Sequence, residues 1–148
     1  MKRNLFRVLT GLFLGVLSVM SLYSCSKDEM NEKNLIGKWQ STSITVKVYE
    51  AGKLVSDRTE NCVDYYIGFN FKSDGTGQFV EYEEGESETI QITWVLMGDK
   101  LMVTDGETST LDVISITGNL MTLEITADED IRNGIMYKWV VTINFKKI

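Results

Sequence analysis

The chain has 148 residues, with 15 basic and 21 acidic side chains, no histidine and no proline, and a net charge of −6. That balance excludes nucleic-acid binding, which runs on clustered lysine and arginine. Without histidine, imidazole zinc sites and histidine-based acid–base catalysis are closed. No serine or cysteine has a visible base beside it, and nothing singles out a catalytic carboxylate pair. No enzyme, cofactor or metal site is expected.

Residues 1–24 read as a targeting segment. Lys2, Arg3 and Arg7 form a positive start, and residues 8–22 are almost wholly apolar. As a helix that run reaches roughly 22 Å, short of a bilayer core of about 30 Å. A positive start, a short apolar run and a small residue before the break mark a secretory signal. Leu22-Tyr23-Ser24-Cys25 then resembles the lipobox of bacterial lipoproteins. The resemblance implies that the Cys25 thiol carries a diacylglyceryl group, that the chain is cut before it, and that the new amine is acylated. The other reading of Cys25 is an ordinary buried cysteine after a signal peptide, and its place where the apolar run stops favours the lipoprotein. Each buried methylene contributes about 0.8 kcal/mol and one chain binds only marginally, so several chains on one cysteine would anchor the protein to a membrane. Loss of residues 1–24 removes three basic and no acidic residues, taking the net charge from −6 to −9.

Residues 25–34 are polar, charged and aperiodic, and are expected to form a flexible tether. Ser26-Lys27-Asp28-Glu29 resembles the acidic export signal of surface lipoproteins of Bacteroidota, which implies an outer-membrane, lipid-anchored, surface-facing protein. A plain solvated linker is the other reading. With Cys25 lipidated, Cys62 is the one thiol left, so no internal disulfide is expected, and Cys62 reads as a small buried hydrophobe.

From Leu35 onward the pattern is that of strands. Runs rich in Val, Ile, Thr, Tyr and Phe are separated by Gly, Asn and Asp. Eight are expected, over residues 37–49, 62–72, 77–82, 88–96, 100–104, 108–116, 120–126 and 136–146, with 55–58 an extension of the first hairpin. Val63, Tyr65, Ile67, Phe69 and Phe71 alternate with polar partners, as do Ile90, Ile92, Trp94 and Leu96, then Met121, Leu123 and Ile125, then Tyr137, Trp139, Val141, Ile143 and Phe145. One dry and one wet face is the mark of antiparallel sheet. The apolar phase slips between Val113 and Ile114, which predicts a bulge. Short turns at Ser73-Asp74-Gly75-Thr76, Gly98-Asp99, Asp105-Gly106 and Gly118-Asn119 make sequence neighbours pair. Two connections are longer, around 56–61 and 127–134. The expected architecture is an all-β, eight-stranded, up-and-down antiparallel barrel over residues 35–148.

Leu35-Ile36-Gly37-Lys38-Trp39 resembles the Gly-x-Trp opening of lipocalins. Cys62-x-Asp64, Phe69-x-Phe71, Ser73-Asp74-Gly75-Thr76, and Trp94 with Gly98-Asp99-x-Leu101 are similar to the short lipocalin-like domains of Bacteroidota lipoproteins. The resemblance implies that Trp39 plugs the closed end under a basic side chain. Usually an arginine, that partner would here be Lys138 or Lys146, or the pair is missing. It also implies a site for a small apolar or amphipathic ligand at the open mouth. Trp39, Tyr65, Trp94, Tyr137 and Trp139 are the candidate lining, against the plain alternative that such aromatics are core.

The acidic residues offer less. Residues 128–130, with Asp99, Asp105 and Glu107, have no EF-hand spacing and read as solvated loops rather than a calcium site. Residues 81–88 read most simply as a charged hairpin tip that resists edge-to-edge aggregation, and as the lesser reading an attractive face for a basic partner. The leading expectation is a monomeric envelope lipoprotein that binds a small ligand without catalysis. Its rival is a surface interaction module that binds protein or glycan around a solid core.

Overall fold

A computed structural model describes residues 30–148, and of residues 127–130 the backbone only. Cys25, the expected signal and residues 25–29 of the tether lie outside the described residues. The last part of that tether is ordered. Glu32–Leu35 forms one helical turn, α1, capped by Asn31, whose side chain accepts from the Asn34 amide at 3.1 Å. Capping supplies the missing acceptor at the turn's start. Leu35, fully buried, holds the turn against the barrel floor.

Nine antiparallel strands follow: β1 (Gly37–Glu50), β2 (Lys53–Asn61), β3 (Tyr65–Phe71), β4 (Thr76–Glu83), β5 (Glu86–Met97), β6 (Lys100–Thr104), β7 (Thr108–Thr117), β8 (Leu120–Arg132) and β9 (Ile135–Lys147). Along one edge β1 pairs with β9 from Trp39–Lys147 to Glu50–Tyr137. Its other edge is shared, with β3 on residues 37–40 and β2 on residues 43–50. Strands β2 and β3 are therefore one lane, interrupted at residues 62–64, and the eight lanes close into a barrel.

The interruption is built around one hydroxyl. Buried Ser41 accepts from the Ile67 amide at 3.0 Å and donates to Cys62 Sγ at 3.3 Å. Beside it β1 shifts register against β9 between Ser41 and Ser43, and the Thr42 carbonyl accepts the Cys62 amide at 2.9 Å. Both backbone irregularities thus sit at one height with their polar groups paired.

The structure departs from the expected strands here. The segment around 56–61, expected to be a connection, is β2, and Val63, expected to point inward, is 80 % exposed in the break. Every residue of β2 is exposed. A strand with two wet faces has no reason to alternate, so periodicity does not reveal it. Likewise β8 runs on to Arg132 across a bulge between Ala127 and Asp130, and β9 begins at Ile135, leaving residues 133–134 as the turn. The bulge expected near Val113 is present, between Val113 and Ser115.

Residues directly opposite in a ladder point to the same side, so the register defines the barrel's inner face. At the closed end that face is solid. Phe69 lies 5.1 Å from Phe71, 5.3 Å from Phe79 and 5.7 Å from Phe145, and Phe71 meets Trp94 edge-on at 5.2 Å. Leu101, Val113, Met121, Leu123 and Ile143 fill the space around them.

Trp39, 1 % exposed, closes the floor and donates its indole N–H to the Leu35 carbonyl at 2.7 Å. The cation over its ring is neither Lys138 nor Lys146 but Lys147, whose Nζ sits 5.0 Å from the ring centroid. Register explains the correction. Lys147 is the cross-strand partner of Trp39 and shares its side, whereas Lys146 faces outward with Gln40 and Lys138 lies at the far end beside Tyr49. Gly37 is required beneath it. At φ +128, a Cβ there would stand 2.6 Å from Lys147 Cε.

Candidate functional site

Above Gly68 on the β1 side and above Thr93 on the β6 side the wall divides. Strand β6 ends with Thr104 opposite Thr93, and β7 leaves β8 at the Asp112–Glu124 pair. The upper barrel is therefore two ribbons, one of β2, β1, β9 and β8, the other of β3, β4 and β5.

In the first ribbon, β1 and β9 turn an apolar stripe to the mouth, with Arg58 and Glu60 of β2 beside it on the same side, opposite Val46 and Ile44. The β1–β9 register aligns Val46 with Val141 and Val48 with Trp139, and places Tyr137 above them. Tyr137 and Trp139 stack at 6.1 Å, and the Arg132 guanidinium lies 5.6 Å from the Trp139 ring centroid. All five of these apolar and aromatic side chains are half-buried. They are accessible, yet held in place by the ladder.

The inner surface of the second ribbon is acidic. Glu81 opposes Glu88 and Glu83 opposes Glu86, with Tyr65 beside Glu83 on β3. Burial first, then Glu83 and Glu88, holds the Glu81 carboxyl above the usual range. Burial likewise drives the Tyr65 phenol well above its ordinary value, helped by Glu81, Cys62, Glu83 and Glu60, so it stays a protonated donor. Like charges directly across a ladder are unfavourable, and these two pairs remain in a half-exposed ribbon where water moderates the repulsion.

The expected lining residues thus fall in two places. Trp39 and Trp94 are core at the closed end, with the Trp94 indole donating to the Thr76 carbonyl at 3.0 Å. Tyr65, Tyr137 and Trp139 stand at the mouth. The sequence reading missed Val46 and Val48 and took the glutamates for a solvated tip. Their signal was present: the spacing 81, 83 and 86, 88 about Glu84-Gly85 puts all four on one side of a tight hairpin. Among the described residues, no three acidic or cysteine side chains come together as a metal site. The glutamates run along the ribbon instead of converging on a point. Such a row suits a ligand with hydrogen-bond donors or positive charge.

Among solved structures, bovine odorant-binding protein is similar in outline. A deswapped triple mutant shares 14 % identity over 78 % of this chain and 74 % of its own, at a TM-score of 0.42. Its complex with undecanal shares 14 % over 81 % and 75 %, at a TM-score of 0.41. No curated protein sequence matches the chain. The family model for the lipocalin-like domain matches residues 35–123, which run from the buried Leu35 before the Gly-x-Trp floor to Leu123 in the core. With that match, and with a closed eight-lane barrel over a tryptophan plug, the chain belongs to the lipocalin-like domain family.

Proposed function

We propose that this protein is a lipoprotein of the outer membrane, anchored through Cys25, that holds a small amphipathic ligand in its barrel mouth without chemical change. The ligand's apolar body lies on Val46, Val48, Val141, Tyr137 and Trp139. Its polar end is a donor or cation and faces Tyr65, Glu81, Glu83 and Glu88. The observation that carries this reading is the pairing, on one inner surface above a solid aromatic floor, of an apolar stripe on β1 and β9 with a row of glutamates on β4 and β5. A half-open site of that kind binds by area on one side and by orientation on the other. The lipobox supports the anchor, and the acidic Ser26-Lys27-Asp28-Glu29 run supports a surface-facing address.

Tryptophan fluorescence of a signal-free Cys25→Ser protein, titrated with decylamine, decanol and decanoate, tests the site. The amine should bind at least tenfold tighter than the carboxylate, and Trp139→Ala should abolish the response. Equal binding of amine and carboxylate would refute the glutamate row's role; no binding of any probe would refute the site. For the anchor, the full-length Cys25→Ala variant should leave the detergent phase in which the parent partitions. If it stays there, the anchor is elsewhere.

A further inference from the structure

Part of the barrel wall has a lane missing. Above Thr93, no strand among the described residues pairs with β5 on its β6 side. In an antiparallel ladder the hydrogen-bonding groups of successive residues point to opposite edges. The Trp94 amide donates to the Gly75 carbonyl, on the β4 side, at 2.8 Å. Even-numbered residues of β5 therefore face β4, and Ser87, Thr89 and Gln91 present their N–H and C=O groups to the vacant lane. At its foot lies an open depression of about 540 Å³, lined by Gln91, Thr93, Thr104, Asp105 and Gly106.

The charge around this edge has one sign. Asp105 lines the depression, Glu107 follows in the same turn, and Glu86 and Glu88 flank Ser87. Neither residues 86–93 nor the 105–107 turn contains a lysine or arginine. Lys72 lies in the turn below Thr76, where Asp74 offsets it. A second copy of the chain would bring carboxylates to carboxylates, within a protein already at net −6. A lysine-bearing strand would meet them with the opposite sign.

We propose that the upper edge of β5 is an interaction surface that takes an extended basic segment of a partner protein as an added strand. Main-chain bonds to Ser87, Thr89 and Gln91 hold the segment. Every second side chain of an added strand lies on the side of Glu86 and Glu88, so the favoured segment carries a basic residue at alternate positions.

The test uses the full-length protein in detergent and three blocked seven-residue peptides. One alternates threonine with lysine, one threonine with glutamate, and the third is the lysine peptide with alternate amides N-methylated along its bonding edge. The readout is residue-resolved amide hydrogen exchange. With the lysine peptide, Ser87, Thr89 and Gln91 should gain at least tenfold protection, while Glu88 and Ile90, already bonded to β4, change little. The other two peptides should give none. Thr89→Pro removes an N–H that faces the vacant lane and leaves the β4 ladder intact, so it should weaken the lysine peptide at least tenfold. Glu86→Lys with Glu88→Lys should reverse the preference towards the glutamate peptide, which keeps the test decisive if the proline variant fails to fold. Absence of protection, equal binding of the methylated peptide, protection confined to Tyr65 and Trp139 at the mouth, or self-association through this edge would each overturn the proposal.

Discussion

At the closed end of the barrel, Trp39, Phe71, Trp94 and Phe145 fill the interior, whereas at the open end the inner face offers Val48 and Trp139 on one side and Glu88 on the other. Several strands run through both ends, so the backbone is not what separates them. The difference is burial. Below, each large side chain removed from water contributes about 1.5–3 kcal/mol, and that surplus lets the ladder continue upward into ribbons with little core of their own. Freed from holding the fold together, the upper ribbons can keep aromatic surface in water and like charges face to face.

The sharpest way to break this comparison is to truncate one tryptophan at each end. Trp39→Ala should cost about 3–5 kcal/mol in urea unfolding. Trp139→Ala, on the half-exposed wall, should cost under about 1 kcal/mol while removing probe binding. Similar costs at the two sites would mean that the mouth, too, is structural.

A smaller loss is expected at the boundary between the ends. Ser41→Ala leaves the buried Ile67 amide without its acceptor, a loss of about 1–3 kcal/mol in the same experiment. Lys147→Met keeps much of the packing over Trp39 but removes the cation, and should cost about 0.5–1 kcal/mol.

The smallest effect carries the opposite sign. Glu81→Gln relieves a repulsive cross-strand pair and should raise stability by about 0.2–1 kcal/mol near neutral pH, less where solvent screens it. Because the folded state holds the Glu81 carboxyl above its ordinary range, its neutral form fits the fold. The stability that form provides is present at acidic pH and is lost as pH rises through the raised value. Thermal melts of parent and variant should therefore coincide near about pH 4 and separate towards about pH 7. A gap that stays constant with pH would show that the glutamine acts through packing.

What the sequence disclosed follows the same division. Strands with one dry face announced themselves through alternation, as Ile67, Phe69 and Phe71 do in β3 and Ile143 and Phe145 in β9. Strand β2 was illegible because both its faces are wet. Lys147 was missed for another reason: Lys146 and Lys147 are alike in composition, and only the β1–β9 register decides which of them lies over Trp39. The glutamates could be placed on one side of a hairpin from spacing alone. Which side faced the mouth depended on the Phe79–Ile90 pair below them.

The seam between β1 and β9 has a consequence for how the molecule is made. It joins residues far apart in the chain; the Asn144 side chain, donating from Nδ2 to Ser43 Oγ, spans 101 positions. Local hairpins can form as they emerge during synthesis, but the ring stays open until its final strand arrives, and closing so long a loop carries an entropic penalty that grows with its length. Assembly should accordingly be slow for a domain this small, and the half-made sheet should be vulnerable to clumping until that last strand docks.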